Sequence, residues 1–316
     1  MRFVETAGAL RSALRPHRRE GASVGLVPTM GALHAGHSSL VARARDRDDI
    51  VVVSVFVNPL QFDRRGDLDL YPRDIGADLD LLESAGVDVC FAPSVDEMYP
   101  DGDPEVRVDP GPLGAVLEGA SRPGHLAGVA TVVTKLLCLV GPDAAYFGEK
   151  DFQQLAVVRR LVRDLSIPAE IVGCPIVREP DGLAMSSRNA RLSPGGRAAA
   201  TVLYRALLAG CAAWRAGARP GDAERAITRE VATEPLAELD YAAAVDSRLQ
   251  RLEVRGPGSS GHWPCRLLVA AVVDGVRLVD NVDAGGDGGG DSGARRSRSA
   301  AGEVDEVVAS RREGER

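Results

Sequence analysis

His34 and His37 stand three residues apart within Pro28-Thr29-Met30-Gly31-Ala32-Leu33-His34-Ala35-Gly36-His37. At that spacing two imidazoles share a face if the turn is helical, and both can donate hydrogen bonds to phosphate oxygens. The segment follows an apolar stretch, Val24–Val27, and precedes a helical pattern over 37–48. It therefore lies where a strand ends and a helix begins, the edge at which open parallel sheets bind ligands. A helix N-terminus there offers unpaired N–H groups and partial positive charge to a phosphate. Gly31 and Gly36 would admit a ligand close to the backbone. Read alone, HxGH also fits a plain strand-to-helix turn with surface histidines.

Two further clusters have the same character. Phe147-Gly148-Glu149-Lys150-Asp151-Phe152-Gln153-Gln154 again joins a strand pattern to a helix pattern. The chain has only two lysines, Lys135 and Lys150. A compact ammonium at Lys150 can follow a phosphate as its charge shifts, while Asp151 suits a helix cap. Lys135 lies mid-helix in TVVTKLLCLV and reads as a snorkelling side chain. The third cluster, Met185-Ser186-Ser187-Arg188-Asn189, follows the non-regular Arg178-Glu179-Pro180-Asp181-Gly182. Its hydroxyls and guanidinium can wrap triphosphate oxygens, although Ser-Ser also makes an ordinary helix cap.

Alternating patterns must position these clusters. Strands are expected at Val24–Val27, Ile50–Val57, Val87–Phe91, Ala144–Phe147 and Glu170–Val172, and helices at 37–48, 74–85, 125–140 and 151–165. That βαβα order predicts an α/β fold, a Rossmann-like doubly wound parallel sheet, over residues 1–175. Residues 176–283 read as a smaller C-terminal α+β domain. It has helices over 194–216 and 221–233, then strands at Asp240–Val245, Arg266–Val273 and Val276–Val279, with Asp274-Gly275 as a hairpin turn. From Ala284 to Arg316 the Gly, Asp, Ser and Arg-rich composition predicts a disordered tail, with at most a brief helix at 303–309.

Composition narrows the partners. A net charge of -7 over 316 residues argues against nucleic acid. The longest apolar run, Leu126 to Val140, is broken by Lys135 and too short for a bilayer. Five scattered cysteines, none in a CxxC pair, read as buried free thiols in a reducing compartment, and a cytoplasmic location is expected.

Taken together, PTMGALHAGH, SVFVNPLQF, YPRD, RPGHLAGVATVV, FGEKDFQQL and DGLAMSSRN resemble the pantoate–β-alanine ligase (pantothenate synthetase) family, within the wider HxGH nucleotidyltransferase group. DYAAAVD and RLLVAA…RLVDN resemble its C-terminal domain, so the likeness runs from residue 1 to about Asn281. It implies that pantoate attacks the α-phosphorus of Mg-ATP, releasing pyrophosphate, and that β-alanine then displaces AMP from pantoyl adenylate. It implies ATP contacts from Met30, Gly31, Ala32, Leu33, His34, Ala35, Gly36, His37, Gly148, Glu149, Lys150, Asp151, Val177, Met185, Ser186, Ser187 and Arg188. His37 is cast as proton donor, with His34, Lys150, Ser186, Ser187 and Arg188 stabilising charge. Gln61 and Gln154 correspond to the pantoate-binding glutamines, and Asn58, Tyr71, Arg122 and His125 lie in other family-like motifs around the substrates. Asp78 and Asp80 read as a solvated helix face, with a Mg²⁺ contact conceivable; no protein metal ligand is assigned. A homodimer, and a second domain closing over the first, are further implications. The alternatives are another HxGH adenylyltransferase, disfavoured by Gln61 and Gln154 in their motifs, a tRNA synthetase, disfavoured by the acidic charge and the lack of room for an anticodon domain, and a nucleotide-binding regulator without catalysis.

Overall fold

Ile50, Val51, Val52 and Val53 are all buried, yet they serve opposite faces of one sheet. Side chains alternate along a strand, so Ile50 and Val52 join one apolar cluster while Val51 and Val53 join another. Each such side chain contributes about 2 kcal/mol by leaving water. In this computed structural model, which describes residues 1–62, 71, 73–254 and 265–285, both faces are covered by helices.

The strands of this sheet are β1 (Arg2–Val4), β2 (Val24–Thr29), β3 (Ile50–Val55), β4 (Val89–Phe91), β5 (Ala144–Gly148) and β6 (Glu170–Cys174). They run in the order β1-β4-β3-β2-β5-β6, every pair parallel. The longer helices of this half are α1 (Ala7–Arg19), α2 (Ala35–Arg45), α3 (Ile75–Ser84), α4 (His125–Val140) and α5 (Phe152–Asp164). Leu10 and Leu14 of α1, Leu126 and Leu137 of α4 and Leu155 of α5 fill one face; Leu40, Val41 and Ala44 of α2 and Leu82 of α3 fill the other. This is the doubly wound arrangement the sequence predicts. β1 and α1 were not among the expected elements: β1 is only three residues long, and α1 carries Pro16 in its interior.

The C-terminal half holds α6 (Pro194–Ala199), α7 (Val202–Arg215) and α8 (Pro220–Val231), then the antiparallel strands β7 (Ala237–Val245), β8 (Arg266–Val273) and β9 (Val276–Asp283). The single helix expected over 194–216 is two, divided at Ala200 and Thr201. Asp274 and Gly275 both have positive φ, 50° and 75°, as the predicted two-residue hairpin turn requires. Leu203, Leu207, Trp214, Ile227, Leu267 and Val269 form this half's own apolar cluster. Ala284, assigned to the tail by composition, is buried in that cluster, and its N–H bonds the Cys265 carbonyl. Residues 286–316, including the short helix expected at 303–309, lie outside the described residues.

Two expectations are corrected. Cys138 is exposed on α4, whereas Cys90, Cys174, Cys211 and Cys265 are buried free thiols as predicted. Asp78 is not a solvated residue: it is 4% exposed and accepts the N–H groups of Ala32 (3.0 Å) and Leu33 (2.7 Å). The β2–α2 loop thus hangs on α3. Gly31 turns there at φ 80°, and a Cβ at that position would lie 2.9 Å from the Asp78 carboxylate. No helix among the described residues is long and apolar enough to cross a membrane.

An Asp78→Asn change keeps the shape but turns an NH₂ toward one of the two loop N–H groups. We expect a loss of about 1–3 kcal/mol in urea denaturation. An unchanged unfolding midpoint would show that the loop holds itself.

Candidate active site

β2 and β5 are neighbours in the sheet, paired at Gly25–Ala144 and Leu26–Ala145, although α2, β3, α3, β4 and α4 separate them in sequence. The order of strands reverses between them, which opens a crevice at their C-terminal ends. A cavity of about 220 Å³ occupies that crevice. Pro28, Thr29 and Met30 reach it from β2, and Phe147, Gly148, Lys150 and Asp151 from β5. Val129, Val132, Val133 and Leu136 of α4 give it an apolar wall.

The loop after β2 uses its own groups to make the turn. The Thr29 hydroxyl accepts the Gly31 N–H, and Asp78 takes those of Ala32 and Leu33. These amides are therefore already committed within the protein. The expectation that Gly31, Ala32, Leu33 and Ala35 contact a nucleotide is not carried by the cavity, which none of them lines; Met30, His34, Gly36 and His37 do. Gly36 has its small size for a reason inside the fold, since a Cβ there would meet the His34 ring at 2.8 Å.

The histidines cap α2 themselves. The Gly36 N–H donates to His34 Nδ1 (3.1 Å), and the His34 N–H to His37 Nδ1 (3.3 Å). With both Nδ1 atoms accepting, each neutral ring carries its proton on Nε2. The rings lie 4.2 Å apart. Burial holds both below the usual histidine range. For His37, burial and then the neighbouring His34 push the value to about 3, against the opposing pull of Asp151. For His34, burial and then Lys150 act in the same direction. The site therefore presents neutral N–H donors in the cavity that Lys150 and Arg188 also line.

The segment bearing Ser186–Arg188 is folded back by a tight loop. Arg178 and Ala184 form an antiparallel bridge, and the Met185 N–H bonds the Val177 carbonyl at 3.0 Å. Val177, Met185, Ser186, Ser187 and Arg188 all line the cavity. Ser186 caps the following 3-10 turn through the Arg188 N–H (3.3 Å), and Ser187 meets the Tyr71 hydroxyl at 3.1 Å. Lys150 lies 3.8 Å from Asp151. Asp151 occupies the cap position of α5 without making a side-chain cap bond. Glu149 belongs to the same motif but turns away toward Arg266 at 3.3 Å, outside the cavity lining.

The other end of the cavity is built around Gln61, which lies in a 3-10 turn, Pro59–Gln61. Its carbonyl receives Arg122 Nη2 (3.2 Å) and His125 Nδ1 (2.7 Å), while Arg122 Nη1 lies 3.0 Å from His125 Nε2. Burial, and then the adjacent guanidinium of Arg122, lowers His125 to about 4, so the neutral ring donates from Nδ1 and accepts at Nε2. Both nitrogens are thus engaged within the protein. Asn58 is 1% exposed and does not line the cavity: its amide donates to Gln61 Oε1 and the Gly128 carbonyl, both at 3.1 Å. Gln154, Tyr71, Arg122 and His125 do line it. Lys135 sits on the same helix as the apolar wall but points its ammonium over the Tyr99 ring, 5.2 Å from its centre. Asp78 and Thr29 carried no sequence signal for their parts in the loop; only the folded chain brings Asp78 to residues 32 and 33.

Comparison with known proteins gives a consistent result. A family model described as Pantoate-beta-alanine ligase matches residues 2–283. Pantothenate synthetases from Nocardioides sp. and Corynebacterium efficiens are each 52% identical, over 89% of this chain and 84% of the first, and over 90% of this chain and 99% of the second. The crystal structure of pantothenate synthetase from Thermus thermophilus superposes with a TM-score of 0.82 at 51% identity, covering 90% of this chain and 99% of that one. A pantoate-beta-alanine ligase from Francisella tularensis, complexed with beta-gamma ATP and beta-alanine, gives 0.74 at 34% identity, covering 91% and 99%. With a family match across the described fold and close relatives spanning nearly their own full length, the chain belongs to the pantoate–β-alanine ligase family.

Proposed function

We propose that this cavity joins pantoate and β-alanine through a pantoyl adenylate made from ATP. Ligation of these two substrates is the activity of the family to which the chain belongs. The observation that carries the mechanism is the meeting, at one strand-end crevice, of the neutral Nε2–H donors of His34 and His37, the Lys150 ammonium, the Ser186 and Ser187 hydroxyls and the Arg188 guanidinium. The Francisella relative, complexed with beta-gamma ATP and beta-alanine, supports assigning the crevice to nucleotide.

A pantoate carboxylate is ionised at neutral pH, so its attack on the α-phosphorus needs no general base. What it needs is alignment and donors for the charge that builds on the departing pyrophosphate. His34, His37, Lys150, Ser186, Ser187 and Arg188 supply those donors. His37, held neutral, acts as a hydrogen-bond donor to phosphate and not as an imidazolium acid. Gln61 and Gln154 hydrogen-bond pantoate without adding charge that would quench the nucleophile. Asn58, Arg122 and His125 hold Gln61 in place, Tyr71 steadies Ser187, and the valines of α4 face the substrate's branched carbon skeleton. In the second half-reaction the neutral amine of β-alanine attacks the acyl carbon, AMP leaves with the bonding pair of the broken carbon–oxygen bond, and the new amide nitrogen gives up its extra proton to water.

Among the described residues no group of three His, Cys, Asp or Glu side chains could hold a metal ion, and Asp78 is committed to the loop. The described side chains do not make a cation cage, and no step here is routed through one. Mg²⁺ accompanying ATP would take its ligands chiefly from the phosphates. A cytoplasmic homodimer completes the reading, with sedimentation the check on its size.

The test is pyrophosphate release from Mg-ATP and pantoate, with and without β-alanine. Pantoate-dependent release, becoming continuous AMP formation only with β-alanine, is expected; ATP binding with no such release would overturn the reading. His37→Ala should cost about 3 kcal/mol of transition-state stabilisation, about 100-fold in turnover, in a folded protein. The pH profile gives a further check. Because the His37 value is lowered to about 3, the ring stays neutral as pH falls through the ordinary histidine range. The value of kcat/KM for ATP, which reports the free enzyme, should show no histidine inflection near pH 6.5. An inflection there that vanishes in His37→Ala would show that protonated His37 is the working form.

A further inference from the structure

Asn281 ends the RLVDN stretch of β9 and is 1% exposed. It lies 131 residues from Lys150 in sequence, yet its amide nitrogen donates to the carbonyls of both Glu149 and Lys150, each at 2.9 Å. Its amide oxygen accepts Arg266 Nη1 at 2.7 Å. Arg266 in turn pairs with the Glu149 carboxylate at 3.3 Å and stacks over the Phe152 ring at 4.2 Å. The turn that carries Lys150 is therefore gripped on its backbone by one side chain and on its flank by another, both from the C-terminal sheet.

The preceding residue does the same for the other half of the site. Asp280, 3% exposed, takes Arg178 in a two-point pair at 2.6 and 3.0 Å, and Arg178 also donates to the carbonyls of Gly182 and Asn281. Arg178 begins the loop that delivers Ser186 to Arg188. Consecutive residues of a strand point to opposite faces, so one dipeptide can reach two segments that never touch in sequence.

We infer that Asn281 is a positioning residue for Lys150, which it serves by fixing the backbone of the 149–150 turn through two amide N–H donors. This rests on the reading of Lys150 as a phosphate donor. The chemistry is specific to a carboxamide at this length: it offers two N–H groups to two carbonyls while its oxygen satisfies a guanidinium. Aspartate has the same shape but sets a carboxylate against two carbonyl oxygens. Serine offers a single donor. A turn displaced by even about 1 Å costs up to about 100-fold when charge must be met at a fixed point.

The experiment is a double-mutant cycle in the full chain, with Asn281→Asp, Lys150→Ala and the pair, read as the rate of pantoate-dependent pyrophosphate release and as thermal midpoint. Asn281→Asp should slow release by about 10- to 100-fold, while in the Lys150→Ala background it should have no further effect, because the group it positions is gone. Should the Asp variant fail to fold, Asn281→Ser carries the same cycle with a smaller loss. Losses that multiply across the two sites would show that Asn281 only stabilises the fold, and overturn the inference. Wild-type rates for Asn281→Asp beside an inactive Lys150→Ala would overturn it too, while leaving Lys150 in its role. A fully active Lys150→Ala would instead remove the donor, and the inference with it.

Discussion

The site depends on β2 and β5 lying side by side while the chain reaches them from opposite directions in the sheet order. The segments after these strands pack on opposite faces of the sheet, which opens a crevice between the strand ends. The histidine pair and Lys150 are 113 residues or more apart in sequence, and this one pairing brings them to a common cavity. The buried β-branched residues of β3 and the tyrosine and alanines of β5 hold the strands in register, so the apolar core sets the distance across which charge must be met.

Given that crevice, the division of labour between its donors follows from burial. Water exclusion disfavours imidazolium, and each histidine already commits Nδ1 to capping α2. The rings become rigid, neutral N–H groups. The Lys150 ammonium and the Arg188 guanidinium line the same cavity beside them. A polyanion entering such a site meets aimed donors that need little reorganisation, which is the arrangement that favours a transition state over a ground state. It also means that the cap and the cavity wall are one structure: a change that frees the Nδ1 of His37 alters which nitrogen faces the cavity.

Much of this was legible in the sequence because it is local. Strand runs such as Ile50–Val57, of which Ile50–Val55 is strand, the Asp274-Gly275 turn and the three clusters at helix starts each announce themselves within about ten residues. What was hidden is long-range. Asp78 looked like one more charge on an acidic helix, since nothing near it in the chain names residues 32 and 33 as its partners. Asn58 carried a family-like motif, yet its place behind Gln61 depends on α4 approaching so closely that a Cβ on Gly128 would lie 2.8 Å from the Gln61 nitrogen. Glu149 sat inside a phosphate-like motif but faces Arg266, because the C-terminal sheet supplies a cation that no local pattern reveals. Short β1 escaped because three residues carry little local signal, whereas α1 was missed although Thr6 caps it and Leu10, Ala13 and Leu14 share its buried face.

The seam between the parallel sheet and the C-terminal strands explains why those hidden partners are polar. Across it Arg266 pairs with Glu149 and Arg277 with Glu118, while Arg178–Asp280 ties the 178–188 loop to β9 and Arg277 also pairs with Asp240 of its own sheet, all at least partly withdrawn from water. An apolar seam of the same area would hold at least as strongly, since desolvation offsets much of what such pairs gain. It would also slide, because apolar contact is not directional. Guanidinium–carboxylate pairs accept few geometries, so they fix which residue faces which. At a seam that must hold the Lys150 turn and the Ser186–Arg188 segment at one separation, that selectivity matters more than the binding free energy it forgoes.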